Sequence, residues 1–454
     1  MKKLLISVPV VAALAGGSWA GTTLISGNES RDAYERVIAD LGNTLGLELV
    51  NASYTAGFMS SEAITEIRKL DGAVLAKLKH VIQHSPIETG ANTGLSASRI
   101  TTTVLIDDGI TTEAQPLLSG FSGDEPLVLQ SRVGFNSVVN NQLTLAAYNN
   151  EFSNEMQITT EDFFWEFDVD KDGGLTGHGT WEGGVMSGTD LLLSSSGSND
   201  VFDFHLAADG LHVGEYEYTA PEMSISSPTS DMQVELRDVS LKTTTEVEND
   251  LLSGKVGISV DDIESPVALD SMALSVNVGN WSIEQFDKIK AATAKMNTAT
   301  INGDENNASE HLVSYFEALS TTLKTGSFFG VELDLANEGG DADANATLTF
   351  EGDGSASGYE QLVSPGATMG NLISALKLDV KIDAARDALE LTPYGLLLGD
   401  LPLEPFFVYG QEGLQGDVVI DDSVINANGQ EIPLQAMLGP MLDQPLDWAA
   451  LVGQ

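Results

Sequence analysis

The chain has 454 residues, 42% of them hydrophobic, enough to bury one large core or two ordinary ones. It carries 67 acidic against 21 basic residues, a formal net charge of -46, and no cysteine. That balance argues against nucleic acid as a partner, since nothing neutralises phosphates, and the missing thiols exclude disulfides, thiol catalysis and cysteine-based metal sites. The carboxylates are spread along the chain in pairs such as Asp107-Asp108, Asp261-Asp262 and Asp421-Asp422. The acidity admits a docking surface for cations or a basic partner, but charge distributed this way reads rather as a solvating surface, whose self-repulsion salt would screen.

The N-terminus gives the clearest signal. Met1-Lys2-Lys3 is followed by a segment without charge from Leu4 to Asn28. Two fates are open on the residues alone. Ser18-Trp19-Ala20 offers small residues at the positions a signal peptidase reads, releasing a chain that begins at Gly21. Leu4 to Ser26 is also long enough to span a hydrocarbon core of about 30 Å, with the lysines held in the cytoplasm. Ala13, Gly17 and Gly21 form a small-xxx-small series on which two such anchors would pack. Residues 1–28 are therefore expected to be a signal anchor or transmembrane segment, and residues 29–46 a juxtamembrane helix. Its stripe is Tyr34, Val37, Ile38, Leu41 and Leu45 behind a Ser30 cap.

From residue 47 to 280 the apolar period changes to two, as in Ile100, Thr102, Val104 and Ile106. The phase slips between Leu236 and Val239, and again between Val267-Leu269 and Met272-Leu274, which predicts β-bulges. Residues 281–326 read as a helical insertion. Ser282 and Gln285 form a capping box there, and a second stripe runs from Ser309 to Leu323, closed by Gly326. Residues 327–454 read as a C-terminal α+β region: strands at Ser327–Leu335 and Ala344–Glu351, then Asn371–Leu376 and the strand-like Leu378–Ile382, a helix from Asp383 to about Leu391, and a final hairpin of Val418–Ile420 and Val424–Leu434 turning at Asp421-Asp422. The expected fold class is α+β, predominantly antiparallel β: a large, bulged and twisted sheet with a few covering helices after the membrane segment.

Candidate sites are sparse. Asp168, Asp170 and Asp172 ahead of Gly173 are spaced as a calcium loop begins, with Leu175 at its eighth position. Gly179 stands where the bidentate Glu belongs, and Phe163 to Phe167 reads as a strand, so a hairpin turn explains the same letters. Calcium is the one cofactor the sequence suggests. His80 and His84 would meet on one face of a helix, but Val81 stands where a zincin needs Glu. A G-x-S-x-G nucleophile elbow and the glycine patterns of phosphate loops are missing. With 67 acids, carboxylate pairs arise by chance, so no catalytic residue is assigned and an enzyme is not the favoured expectation.

Three segments resemble the YdgA-like family of bacterial envelope proteins, a domain of unknown function. Tyr54, Gly57, Phe58, Ser60 and Ser61 match its Tyr-x-x-Gly-aromatic-x-Ser-Ser signature. Ile82, His84 and Pro86 match its Ile-x-His-Gly-Pro stretch, with Ser85 replacing the glycine. Asn428-Gly429 sits in a strand-Asn-Gly-strand ending. The resemblance implies a single-pass protein of the bacterial inner membrane with its body in the periplasm, retained by its anchor, and it admits a homodimer. The expected function is non-enzymatic binding or assembly of an envelope component, lipid-like or protein. A carboxylate-based hydrolase or lyase of envelope glycans is the alternative.

Overall fold

The computed structural model describes residues 48–57, 59–68, 72–84, 96–105, 119–123, 125–152, 156–207, 211–230, 232–302, 314–315, 318, 322–352, 368–391, 404–421 and 424–445. They form an antiparallel β protein with few helices. The expected anchor and juxtamembrane helix lie outside the described residues, among which no helix is long and apolar enough to cross a membrane. The chain divides into two compact units, Met1–Gly214 with Lys290–Leu312, and Glu215–Ile289 with Val313–Gln454.

The first unit contains β1 (Glu48–Thr55), β2 (Ser60–Arg68), β3 (Val74–Gln83), β4 (Ser98–Leu105), β5 (Leu127–Val133), β6 (Val139–Leu145), β7 (Tyr148–Phe152), β8 (Met156–Thr160), β9 (Phe163–Val169), β10 (Leu175–Trp181), β11 (Gly184–Ser187), β12 (Leu192–Ser195) and β13 (Ser198–Leu206). β1 to β6 pair in sequence as a meander, and β9, β10 and β13 continue the sheet from β6. Alternate residues are buried, as in Leu127, Leu129, Ser131 and Val133, which is the period of a half-wet strand. Fully buried side chains such as Ile82, Leu129 and Val139 each contribute roughly 1.5–3 kcal/mol by leaving water.

A crease crosses four strands of this unit. β6 and β7, β9 and β8, β10 and β11, and β13 and β12 are each one long strand interrupted by two residues: Ala146-Ala147, Glu161-Asp162, Glu182-Gly183 and Ser196-Gly197. Pairing keeps the same offset on both sides, as Leu145↔Phe163 and Tyr148↔Thr160 show. In β6–β7 and β9–β8 the inward side changes from odd to even residues across the break. The backbone is stitched there by Ala147 N donating to the Asp162 carboxylate (2.6 Å) and Glu161 N donating to the Gly183 carbonyl (2.9 Å). Gly183 and Gly197, at φ +108° and +125°, supply conformations an L side chain rarely adopts.

Beyond β14 (His212–Ser226), the second unit is a longer meander. Its strands are β15 (Gln233–Glu248), β16 (Leu251–Glu264), β17 (Ser271–Ser282), β18 (Phe328–Asn337), β19 (Gly340–Phe350), β20 (Leu376–Ala385), β21 (Val408–Tyr409), β22 (Gly413–Asp421), β23 (Val424–Ala427) and β24 (Gln430–Pro433). β15 through β20 pair in order, and β22 to β24 follow. Among the described residues the helices include α1 (Phe286–Asn302), α2 (Met369–Ser374), α3 (Arg386–Glu390) and α4 (Leu434–Leu438), and Ser314, Tyr315 and Ala318, inside the second predicted stripe, are helical as well.

Several sequence expectations change here. The slip at Leu236/Val239 is no bulge against β16: Leu236↔Ile263 and Val239↔Val260 keep one register, and Asp238 absorbs the slip at φ +52°. The second slip falls in the connection between β16 and β17, where Pro266 breaks the ladder, so it is a loop. A bulge does occur between Leu252 and Gly254, where Leu252 faces Trp281 and Gly254 faces Val278. Ser282 caps nothing through its hydroxyl. Held as the last residue of β17 by donating its N–H to Thr322 O (2.8 Å), it has no hydrogen-bond partner for its buried Oγ, and a 3-10 turn (Ile283–Gln285) leads into α1. Ser309 lies outside the described residues.

The segment from Asn371 is helical, started by a capping box between Thr368 and Asn371. Asp383 and Ala384 remain in β20 because β19 and β22 pair with them on both sides, and Ala385 stays with them by pairing with Gly413 of β22, so the predicted helix shrinks to α3. The strand-Asn-Gly-strand ending forms as expected, with Asn428 and Gly429 at φ +53° and +82° in its two-residue turn.

Candidate functional site

Ser61 and His84, twenty-three residues apart in sequence, meet. The Ser61 hydroxyl hydrogen-bonds His84 Nε2 at 2.9 Å, and His84 N donates to Met59 O (2.9 Å). The first two signature segments thus close one end of the β2–β3 hairpin. Tyr54 packs on the cluster of Ala63, Ile82 and Ile100 below them. Gly57 lies against the Ser60 carbonyl, where a Cβ would collide. Ala13, Gly17, Gly21, Phe58 and Pro86 lie outside the described residues.

His80 is on a strand, not a helix, and is bound by hydroxyls: its Nε2 meets Thr65 Oγ1 and its Nδ1 meets Thr102 Oγ1, each at 2.9 Å. The three side chains link β2, β3 and β4 inside the core.

Asp170 Oδ1 accepts from Asp172 N and Gly174 N at 2.8 Å each, the self-contained turn of a β9–β10 hairpin. Asp168 accepts from Asn140 Nδ2 at 2.6 Å. Among the described residues, no three metal-ligating side chains gather.

The feature that alternation alone did not disclose is one face of the second unit's sheet. Cross-strand partners place Val239, Val260, Met272 and Leu335 in one row, and Leu241, Ile258, Leu274, Leu333 and Ala344 in the next. Val256, Val276, Val331 and Ala346 form a third, and Val278, Phe329, Leu348 and Leu378 a fourth. At one end this face is capped. Val418, Ile425, Ala427 and Leu434 form a buried cluster with Ile373, Phe406, Phe407 and Leu438 packed against it. Toward β16–β19 it is open: Val256, Ile258, Leu274, Phe329 and Leu348 remain 36–43% exposed. Large contiguous apolar surface of this kind is rare on a protein that works alone. Strand period reveals which side is apolar, whereas the missing cover depends on where distant segments pack.

The opposite face is polar and acidic. Asp334, Asp343 and Asp383 stand directly opposite one another on β18, β19 and β20. Desolvation, then the neighbouring Asp334, raises the Asp343 carboxyl above its ordinary range. A raised acid stabilises the fold only while protonated, and that contribution is lost as pH rises through its folded pKa. At neutral pH the row is therefore repulsive. Asp343→Asn is expected to stabilise by about 0.5 kcal/mol, a small figure because the group is exposed. The wild type should melt higher in seawater-like salt than in dilute buffer, and the variant should gain less from salt. Melting temperatures independent of salt in both would contradict this.

The fold and this face define an antiparallel β protein in which, among the described residues, part of one apolar sheet face stays uncovered. The chain belongs to a bacterial family of unknown function: the family model described as "Bacterial protein of unknown function (DUF945)" matches residues 1–393. This agrees with the expected membership in such a family, and the match stops short of the Asn428-Gly429 hairpin. No curated protein and no solved structure matches the chain.

Proposed function

We propose that this protein is a single-pass, inner-membrane-anchored binding protein whose body faces the periplasm, and whose open apolar sheet face takes the acyl part of a lipid-like envelope component. The observation that carries the reading is the uncovered surface around Ile258, Leu274 and Phe329. Its chemistry favours a lipid over a protein. The rows are Val, Ile, Leu, Ala and Met with one Phe, and lack the Trp, Tyr and Arg anchors on which protein interfaces concentrate their energy. Ala342, Ala344 and Ala346 on β19 leave a shallow lane between larger neighbours, suited to an extended hydrocarbon chain. The uncharged segment from Leu4 to Ser26 supports placement at a membrane. Within this unit, Asp334, Asp343 and Asp383 form a row along an exposed strand face, where a glycan hydrolase would need acids converging in a cleft.

The test is the lipid content of full-length protein extracted from membranes and purified. Near-stoichiometric lipid is expected in the wild type, reduced about fivefold or more when Ile258→Asp and Leu274→Asp place two charges on the face. Wild-type protein without lipid, carrying a protein crosslinked at Leu274, would replace the lipid by a protein partner.

A further inference from the structure

The wet face of the first unit's sheet holds a cup of about 480 Å³, lined from β4, β5, β6, β9 and β10. On its first wall, Arg99 and Arg132 stand directly opposite each other on adjacent strands. Like charges so placed repel. The Arg99 guanidinium donates to the Gln130 side-chain carbonyl, a neutral acceptor, and among the described residues no carboxylate pairs with it. Elsewhere Arg68 bridges Glu66, Arg237 bridges Asp262 and Glu264, and Arg386 bridges Glu390. In a chain with 67 acids and 21 bases, a guanidinium resting on an amide in a concavity is the reverse of what chance pairing produces.

The far wall is acidic. Asn140 separates Arg132 from Asp168 in one cross-strand row, and Glu166 lies two residues along the same strand. Two strand spacings put the backbones of the cationic and acidic walls about 10 Å apart. A small molecule charged at both ends is of the size to bridge such a gap when side chains reach in from each wall.

We infer that the cup binds a small phosphate-bearing amine, with its phosphate on Arg99 and Arg132 and its ammonium on Glu166 and Asp168. The Arg99 guanidinium, held on a neutral amide beside a second arginine, keeps a forked set of donors that matches the oxygens of a phosphate. The acidic wall turns away simple polyanions and selects the amine. This site is independent of the apolar face of the other unit.

Calorimetric titration of the purified full-length protein tests it, with O-phosphoethanolamine as the free monoester and glycerophosphoethanolamine as the diester of a lipid headgroup. Binding of either supports the site, and the tighter of the two identifies the source. Inorganic phosphate and ethanolamine should each bind at least about tenfold more weakly. Arg99→Gln should weaken binding about tenfold or more while leaving the melting temperature equal or slightly raised, because it relieves the opposition with Arg132. A purely structural arginine would give the opposite, a lower melting temperature with binding unchanged. Glu166→Gln should erase the preference for phosphoethanolamine over phosphate. Ile258→Asp should leave all these affinities unaltered, so failure here and failure of the lipid reading are separable. No heat with either phosphoamine, or equal affinity in the wild type and Arg99→Gln, overturns the proposal.

Discussion

Gly179→Ala is expected to destabilise the protein by about 3 kcal/mol, the upper part of the range for overpacking a well-filled core, and to lower its Tm by roughly 6–12 °C. Gly179 lies on β10 directly between Trp165 on β9 and Asp200 on β13. The Trp165 indole reaches across it, Nε1 donating to both Asp200 carboxylate oxygens at 2.9 and 2.6 Å. A Cβ at position 179 would occupy the space of the indole and the carboxylate. Neither can easily retreat: the indole makes edge contacts with Phe163 (5.0 Å) and Phe202 (6.2 Å), and Asp200 is 5% exposed. Burial raises the Asp200 carboxyl, and the Trp165 bond partly offsets this, so separating the pair strands a buried acid. Gly257→Ala is the control, because the nearest atom to the new methyl, Ser275 Cβ, would stand 3.8 Å away, an ordinary contact. Its change should stay within about 0.5 kcal/mol. Urea midpoints of the two variants that coincide would refute the packing account.

The second large effect concerns pH. Burial lowers the His80 pKa from 6.5 to about 4. The unfolded chain therefore takes up a proton at this residue below pH 6.5, while the folded state resists until about pH 4. The stability His80 contributes as a neutral ring is complete above pH 6.5 and is lost as pH falls toward 4. The amount is on the order of 3 kcal/mol. Both ring nitrogens already engage hydroxyls, Thr65 and Thr102, so a neutral imidazole is satisfied where it stands and a charged one must be desolvated. In His80→Gln the fall in urea midpoint between pH 6.5 and 5 should shrink markedly. Carboxylates are the same in both proteins, so their titration cancels in the comparison. Equal slopes in the wild type and the variant would assign the effect elsewhere.

Strand period made most of the fold legible. The alternation at Ile100, Thr102 and Val104 and the Asn428-Gly429 turn are local signals, set by pleat and backbone preference, and both appear in the structure. The helix expected from Asp383 starts later: Ala384, Ala385 and Ala388 suit a helix, but the ladder with β22, joined at Ala384 by β19, keeps the first two in a strand. Tertiary pairing overrode propensity there. Ser282 departs from its expected capping role for a related reason: a cap is defined by three neighbouring letters, but Thr322, forty residues on, fixes its backbone. The His80-x-x-x-His84 spacing suggested a metal pair only on a helix, and a strand divides the two between Thr65 and Ser61. The apolar face and the Arg99–Arg132 opposition depend on register between strands, which one sequence does not display. Their signals, an aliphatic alternation without a covering partner and two arginines in a basic-poor chain, acquire meaning only once the pairings are known.

The crease across β6–β13 has a mechanical consequence. A flat sheet bends readily out of its plane, but a plate folded along a line resists bending about any axis that crosses the fold. Because all four strands break at the same level without losing register, the fold stiffens the sheet at small cost in backbone pairing. Asn140, Glu166 and Asp168 project from strands that run into that ridge. The far wall of the cup is thereby held as a rigid gauge, so a ligand would be measured by its length as much as by its charge.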